Sequence, residues 1–329
     1  MDSPLRDSAP LSFDFFGVEV EVATADPDCR KLLSGNYSLF QTRARNPILT
    51  YSVQKSSDGA FEISRGNERS LLASDDGDLL FQVEKEITIE IQKLRPDLYF
   101  LHAAALDYDG LGLMLVANSG GGKSTTTWAL SHHGFRYLSD ELAPIDLKTL
   151  EIFPYPHALS LKNLPPSSYR LPRETIHTSR TVHVPVEALP GGIQRVPTCL
   201  AAIFFVSYRP DQEFPRVVSI SRTEAAARLF ANALNPLAHP NEGLDGVQDG
   251  RVLVVDVDDV LAGSDLAPQA CARSLAGLLR HGPLRAADPV ARTGPRVVET
   301  GRRAAPHIRE LSRRGALSSV GPGTRRRRC

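Results

Sequence analysis

The sequence is poor in the residue patterns that mark several large classes of protein. Its four cysteines lie far apart in 329 residues, with no CxxC pair and no cysteine–histidine spacing typical of zinc ligands. Neither a zinc site nor a disulfide framework is therefore expected, and a reducing cytoplasm is the expected location. The longest apolar run, residues 200–206, is too short to span a bilayer, and residues 1–10 lack the basic-then-apolar pattern of a signal peptide. We therefore predict a soluble protein without a membrane partner.

The chain also has no net charge, but its charges are unevenly distributed. Residues 282–329 contain twelve arginines, no lysine, three acidic residues and no Phe, Trp or Tyr, and the preceding part of the chain carries the balancing negative charge. A segment rich in Arg, Gly, Pro and Ser buries too little apolar surface to fold alone, so a disordered tail is predicted over 282–329. It has no aromatic platform and no folded motif, so no specific nucleic-acid partner is expected.

The rest of the chain is predicted to form an α/β protein in two parts. Its 42% of hydrophobic residues suffice for one large domain or two ordinary ones. Residues 1–97 read as short strands and turns, followed by one helix whose apolar residues recur at spacings of three and four from residue 80 to residue 94. The charged residues of this helix, including Glu84, are predicted to form a solvated face. We predict an N-terminal mainly-β α+β region over 1–97 and a kinase-like domain over 98–281.

Residues 115–141, LVANSGGGKSTTTWALSHHGFRYLSDE, carry most of the functional information. Before them, two apolar runs joined by Asp107-Tyr108-Asp109-Gly110 predict a hairpin, and the second strand of this hairpin leads into a glycine-rich loop. A helix is predicted from Lys123 to His133, and a short strand over 135–138 leads directly into Asp140-Glu141. The order strand, loop, helix, strand, acid is typical of an α/β nucleotide-binding sheet.

Two further strands and two further helices are predicted after the acidic pair. The run CLAAIFFVSY predicts a strand covered on both faces, and SRTEAAARLFANAL, with capping-box residues Ser221 and Glu224, predicts a helix up to Leu234. RVLVVDVDDV predicts a late strand, and residues 265–280 predict a last helix. The acids of Asp256–Asp259 are interpreted as a solvated strand edge rather than as a metal site.

The glycine-rich loop has the composition of a phosphate-binding loop. Such a loop needs glycines whose N–H groups turn towards phosphate, a lysine that reaches the β and γ phosphates, and a hydroxyl that ligates Mg²⁺. Ala117 replaces the glycine expected at the entrance, which costs little if its φ stays negative. The residues predicted to bind ATP here are Ser119, Gly120, Gly121, Gly122, Lys123, Ser124 and Thr125. The alternative, a glycine-rich turn with an incidental Lys-Ser, leaves the strand before it and the helix after it unexplained.

An acidic pair follows the loop unusually soon. Asp140 comes 17 residues after Lys123, at the end of the next predicted strand, which places a carboxylate near the γ-phosphate. A carboxylate there can accept the proton of an attacking hydroxyl or help to hold Mg²⁺. A single acid could simply cap a loop, but two adjacent acids favour a role in phosphoryl transfer.

The stretch LHAAALDYDGLGLMLVANSGGGKSTTTWALSHHGFRYLSDE resembles the catalytic core of the HPr kinase/phosphorylase family, whose core is shared with phosphoenolpyruvate carboxykinases. That family has a Leu-His strand, a hairpin, a G-x-S-G-x-G-K-S loop and an Asp-Asp pair after the next strand. The resemblance implies that Lys123 and Ser124 bind phosphate and Mg²⁺. It makes Asp140 the general base and a metal contact, with Glu141 at the position of the second aspartate. His102, which alone reads as a buried strand histidine, would lie near the transferred phosphate.

The chain beyond the acidic pair is less similar to the family. Smaller HPr-kinase-related proteins have a Pro-rich strand that ends in lysine, as PYPHALSLKN does here, so the resemblance makes Lys162 a candidate ligand contact. The alternative is an exposed lysine at the end of a strand. Arg209 and Arg222 are weaker candidates, and His132 and His133 are interpreted as helix-end residues rather than ligands.

Departures from the family bear on the substrate. The glycine-rich signature that follows the acidic pair in HPr kinases is absent, the second acid is Glu141, and residues 1–97 do not read as the usual N-terminal domain. These departures argue against HPr as the substrate. In these departures the chain is similar to small relatives of the family that are found in peptide-maturation gene sets. They include kinases that phosphorylate a serine of a lasso-peptide precursor.

We therefore expect an ATP- and Mg²⁺-dependent kinase that phosphorylates a serine-type hydroxyl of a peptide or small protein, such as a ribosomal peptide precursor. One alternative is a metabolite kinase, although no arginine-rich lid segment lies between Asp140 and Tyr208. Another is an ATP-binding module without transfer activity. A homo-oligomer that completes the acceptor site is compatible with the resemblance.

Overall fold

A computed structural model describes residues 9–66, 68, 70–208, 216–240, 252–258 and 297–298. Within them the chain has a mixed α/β fold with three β-sheets. The helices are α1 (Pro27–Asn36), α2 (Asp76–Leu94), α3 (Lys123–Ser131) and α4 (Arg222–Ala231). The strands are β1 (Leu11–Phe15), β2 (Val18–Ala23), β3 (Leu49–Lys55), β4 (Phe61–Arg65), β5 (Leu71–Ala73), β6 (Tyr99–Leu101), β7 (Ala103–Tyr108), β8 (Leu111–Val116), β9 (Arg136–Ser139), β10 (Ala143–Asp146), β11 (Glu151–Ile152), β12 (Leu159–Leu161), β13 (Ile176–His177), β14 (Val182–Val184), β15 (Thr198–Ser207), β16 (Arg216–Ser219), β17 (Leu253–Asp258) and β18 (Val297–Val298).

The N-terminal part is a five-stranded sheet in the order β1-β2-β3-β4-β5. Strands β1 and β2 form a hairpin whose turn, Phe16-Gly17, has φ values of 58° and 84°, as a tight two-residue hairpin turn requires. The buried residues of these strands pack with α1 and α2 into one apolar cluster. That cluster also contains Phe100, Leu142 and Tyr155, so it crosses the predicted boundary at residue 97. The domain limits themselves stay a prediction.

Helix α2 forms as the apolar periodicity predicted, but Glu84 does not lie on the solvated face of the helix where it was predicted. The helix starts after Asp75, whose carboxylate accepts a hydrogen bond from the Asp78 N–H at 2.8 Å. Glu84 does not belong to a solvated face, because its Oε1 accepts a hydrogen bond from Asn36 Nδ2 of α1 at 2.8 Å. Since Glu84 follows Leu80 by four residues, both side chains lie on the same inward side of the helix.

The central sheet has ten strands, and the predicted order of elements is found in it. Strands β7 and β8 form the predicted hairpin, with positive φ at Asp109 and Gly110. Strand β8 leads through the glycine-rich loop into α3, and β9 follows and pairs with β7. Strand β15 lies between β8 and β17 and is parallel to both.

Both faces of this sheet are covered, as the continuous apolar run of β15 predicted. Alternate residues of β8 face opposite sides, with Leu113 in the cluster that contains Trp128 of α3 and Met114 in the cluster that contains Leu229 of α4. Helix α4 starts with the expected cap, because Ser221 Oγ accepts a hydrogen bond from the Glu224 N–H at 3.2 Å. Its α-helical part ends at Ala231, three residues before the predicted end.

A small three-stranded sheet, β12-β14-β13, connects the central sheet to α2. Its turn between β13 and β14 contacts the first turn of α2, where Ser179 Oγ donates to Asp75 Oδ1 at 2.7 Å. Arg180 in the same turn forms an ion pair with Asp78, with 3.2 Å between Nη1 and Oδ1. The small sheet therefore holds Lys162, just after β12, on the same side of the molecule as α2.

Several predictions concern residues outside the described part of the chain. They are the helix over 265–280 and the disordered tail over 282–329, of which only Val297–Val298 are described, paired with β16 as β18. Among the described residues, no helix combines the length and the apolar character that a membrane crossing would need.

One cysteine departs from the sequence prediction. Cys199 is disulfide-bonded, whereas Cys29, the other described cysteine, is free and buried. The widely separated cysteines offered no spacing signal, because a disulfide depends on the distance between two residues in space rather than along the chain.

Gly191 provides a test of the packing that positions β9. A Cβ atom on Gly191 would lie 2.0 Å from the carbonyl oxygen of Phe135 and 2.8 Å from that of Ser131, and backbone atoms cannot move aside as a side chain can. We expect Gly191→Ala to lower the free energy of unfolding by about 1–3 kcal/mol, measured by urea denaturation. The control is Gly35→Ala, whose Cβ would meet only the tip of the Ile176 side chain. Equal stability of the two variants would contradict this packing.

Candidate functional site

The glycine-rich loop connects the end of β8 to the start of α3. Gly120 and Gly122 have φ values of 80° and 92°, which side-chain-bearing residues rarely adopt. Gly121 is needed for a different reason, because a Cβ there would lie 3.0 Å from the Asn118 carbonyl oxygen. Ala117 is not among the residues with positive φ, so alanine fits at the loop entrance as expected. The backbone of this loop therefore favours glycine at positions 120 and 122, and position 121 leaves little room for a side chain.

Lys123 and Asp140 form a buried pair of opposite charges beside this loop. Lys123 Nζ has no hydrogen-bond partner within the described residues, whereas the Asp140 carboxylate lies close enough to interact with the Ser124 hydroxyl and the Ser160 N–H. Burial lowers the pKa of Lys123, although Asp140 and Glu141 act in the opposite direction. Burial raises the pKa of Asp140 to about 7, with Lys123 opposing and Glu141 adding to this effect. Buried charged groups without hydrogen bonds are costly, so this arrangement is typical of a site that binds charged ligands.

A cavity of about 470 Å³ opens over the loop. The predicted site residues that line it are His102, Ser119, Gly120, Gly122, Lys123, Ser124, Thr125, Glu141 and Lys162. Gly121 and Asp140 do not line it, and Asp140 is fully buried. The structure thus brings the glycine-rich loop, the Leu-His strand, the acidic pair and the small sheet to one place.

The sheet geometry explains why these residues meet. Strand β7 is antiparallel to both β8 and β9, so its first residues lie beside the last residues of both neighbours. Ala103 pairs with Val116, which precedes the loop, and Ala105 pairs with Ser139, which precedes Asp140. His102, directly before β7, therefore lies at the sheet edge from which the loop and the acidic pair emerge.

Charges around the cavity shift the pKa values of His102 and Glu141 further. Burial lowers the pKa of His102, and the positive charges of Lys123 and Lys162 lower it more. Burial raises the pKa of Glu141, but Lys123 and the neighbouring histidines outweigh it, so the net direction is downward. Lys162 Nζ donates a hydrogen bond to Ser119 Oγ at 2.8 Å, which links the small sheet to the loop. At this site the histidine is favoured neutral and Glu141 is favoured ionised.

Sequence reasoning missed the residues that α2 and the small sheet contribute. Phe81 and Glu84 of α2, together with Arg180 and His183, also line the cavity. Burial, together with the negative charges of Glu141 and Asp140, raises the pKa of Glu84 to about 8. A signal for Glu84 was present, because its position falls within the apolar stripe of the helix. The contributions of Arg180 and His183 depend on chain pairing that no local pattern predicts.

The weaker candidates lie away from this cavity. Arg222 is the first residue of α4 and does not line it, and Arg209 lies outside the described residues. His133 Nε2 is 2.8 Å from the Tyr169 hydroxyl and lies beyond the last residue of α3, as expected of a helix-end residue. Asp256 forms an ion pair with Arg228 at 3.0 Å, and Asp259 lies outside the described residues.

The residues predicted to bind Mg²⁺ are typical of a site that binds the ion together with the phosphates of a nucleotide. The described residues contain no group of three or more His, Cys, Asp or Glu side chains that could hold a metal. Mg²⁺ is usually bound through one or two carboxylates plus phosphate oxygens and water. Ser124 and Glu141 line the cavity and provide hard oxygen donors of that kind, and the fully buried Asp140 directly precedes Glu141.

Comparisons with known proteins include a distant likeness to a solved structure. No protein-family model matches the chain, and no curated protein matches it. Among solved structures, the Hpr(Ser) kinase/phosphatase from Coxiella burnetii is similar over 55% of this chain and 97% of that chain, with 14% sequence identity and a TM-score of 0.29. A likeness this distant identifies neither the family nor the activity of this chain.

The raised pKa of Glu84 predicts a pH-dependent effect on stability. A carboxyl whose pKa rises from 4.5 to about 8 on folding destabilises the folded state progressively between those values, because folding then disfavours its ionised form. We expect Glu84→Gln to raise the free energy of unfolding by about 1–2 kcal/mol at pH 8.5 and to have little effect at pH 4. This is less than the full linkage energy, because the side chain is 25% exposed.

The measurement is urea denaturation of both proteins across this pH range. Glu86→Gln, the same change two residues along α2, controls for the loss of one negative charge. An effect of Glu84→Gln that is equal at pH 4 and pH 8.5 would contradict the assigned burial of its charge.

Proposed function

We propose that this protein is an ATP-dependent kinase that transfers the γ-phosphate to a serine-type hydroxyl of a peptide or small protein. The observation that carries the proposal is the burial of Lys123 and Asp140 next to a loop in which Gly120 and Gly122 have positive φ values. A nucleotide triphosphate supplies negative charge for Lys123, and the loop N–H groups and the N-terminus of α3 favour the same charge. The cavity of about 470 Å³ lies within the usual range for small-molecule sites.

In this proposal the phosphates lie along the loop, with Lys123 at the β and γ phosphates. Ser124, Asp140 and Glu141 would hold Mg²⁺, which neutralises phosphate charge and orients the phosphate oxygens. Lys162 and Ser119 border the same cavity and are hydrogen-bonded to each other, so they are placed to contact the triphosphate from the small sheet.

The two acids would have different roles because their pKa values are shifted in opposite directions. Burial raises the pKa of Asp140, which increases the proton affinity of its carboxylate, as suits a general base. Glu141 is favoured in its ionised form and lines the cavity, which suits a constant negative charge. In the transfer step the acceptor oxygen forms a bond to the γ-phosphorus, and its proton goes to Asp140. The bond from the γ-phosphorus to the oxygen that bridges to the β-phosphate breaks, and ADP leaves.

A peptide acceptor, such as a ribosomal peptide precursor, is supported by the resemblance to small peptide-maturation kinases. It is also supported by the helix-lined opening beside the phosphate loop. Incubating the protein with labelled ATP and separate sets of serine peptides and hydroxylated metabolites distinguishes the proposal from a metabolite kinase. ATP binding without any phosphorylated product would instead indicate a non-catalytic module.

Asp140→Asn tests the proposed general base. We expect the variant to lose about a hundredfold or more of its phosphoryl-transfer rate, because the proton acceptor is removed, and to keep most of its ATP affinity. Transfer is measured by mass spectrometry of a serine peptide that the wild type phosphorylates, and ATP affinity by calorimetry. Asp109→Asn is the control, because it makes the same change in the hairpin turn, where asparagine tolerates the φ of 53°. Transfer by Asp140→Asn at the wild-type rate would show that another residue is the base.

A further inference from the structure

A second cavity, of about 260 Å³, adjoins the phosphate-loop cavity. The two cavities share Phe81, Glu84, His102 and Glu141 as lining residues. We call the second one the α2 cavity, because α2 forms one of its walls. Lys162, Ser119 and the loop glycines line only the first cavity, so the α2 cavity lies on the side of His102 and Glu141 away from the phosphate loop.

The α2 cavity is a built site rather than a surface depression. Tyr37, Tyr155 and His157 line it and are almost fully buried, with exposed fractions of 1%, 2% and 4%. The Tyr37 and Tyr155 hydroxyls lie close enough to interact with each other, and Tyr155 also with Thr88, whereas Nδ1 of His157 has no hydrogen-bond partner among the described residues. Buried polar groups are normally paired, so His157 is placed to bind a polar group of a ligand.

The mouth of the cavity has a different character. Phe81 and Leu234 line it and remain 54% and 41% exposed, which favours an apolar ligand surface at the entrance. Glu141, which is favoured in its ionised form, lies where the two cavities meet and disfavours an anionic ligand. The volume is below the roughly 300–1,000 Å³ typical of pockets for drug-sized ligands, so the cavity suits a single large side chain.

We infer that the α2 cavity binds an aromatic side chain of the acceptor peptide, next to the serine that is phosphorylated. The ring would lie against Phe81 and Leu234, and a polar tip, such as a tyrosine hydroxyl or an indole N–H, would reach His157. The serine hydroxyl would then lie near His102 and Glu141, facing the γ-phosphate. This inference rests on the proposed kinase function and adds the sequence preference of the acceptor.

The test uses the full chain with ATP, Mg²⁺ and a peptide library that contains one central serine and a scanned residue on each side. Mass spectrometry identifies the phosphorylated peptides. We expect peptides with Tyr or Trp beside the serine to be phosphorylated preferentially, and peptides with Asp or Glu at the same position to be disfavoured.

A variant that fills the mouth of the cavity then tests the location. Leu234→Trp should raise KM for an aromatic-flanked peptide about tenfold but change KM for an alanine-flanked peptide little. Leu94→Trp is the matched control, because Leu94 is also 41% exposed and lines neither cavity. ATP affinity, measured for every variant, reports whether it has folded. Should Leu234→Trp fail to fold, Thr88→Phe narrows the same cavity and is judged in the same way.

The outcomes separate the inference from the proposed function. If the wild type binds ATP but phosphorylates no serine peptide, both are overturned. If it phosphorylates peptides without an aromatic preference, or if the filling variant leaves KM for the aromatic-flanked peptide unchanged, only the inference is overturned.

Discussion

The candidate site depends on burying two opposite charges, those of Lys123 and Asp140, at one edge of the central sheet. Each follows a strand, β8 or β9, and β7 pairs with both strands and fixes their spacing. Mutual attraction offsets part of the desolvation cost, but Lys123 Nζ has no hydrogen-bond partner within the described residues. The sheet therefore has to supply the stability that holds them there, through the apolar clusters on both of its faces.

Local patterns in the sequence predicted the elements that carry this pair. The hairpin turn, the glycine loop and the helix that follows are each determined by residues close together in the chain, such as Gly120 and Gly122 with their positive φ values. Asp140 could be predicted because one short strand separates it from the helix. The sequence also indicated α2, but its charged residues were interpreted as a solvated face, and the inward position of Glu84 was missed.

The rest of the site could not be predicted, because it depends on long-range packing. The N-terminal sheet, α2 and residues such as Phe100 and Tyr155 share one apolar cluster, which fixes α2 against the phosphate loop. Ser179 and Arg180 reach the first turn of the same helix across about a hundred residues of chain. No periodicity or motif in the sequence reports these contacts. As a result, the N-terminal region is part of the cavity wall rather than a separate attachment.

The pKa values of the carboxyl groups at this site differ because each group has different charges around it. Burial raises the pKa of Asp140, Glu84 and Glu141 alike, and the neighbouring charges decide the result. Glu141 is close to enough positive charge for its pKa to fall, whereas the negative charges of Glu141 and Asp140 raise the pKa of Glu84 and the hydrogen bond from Asn36 offsets only part of this rise. Asp140 lies between these cases, because Lys123 opposes burial without overcoming it. Adjacent acids in one sheet edge can therefore hold a constant charge and an exchangeable proton at the same pH.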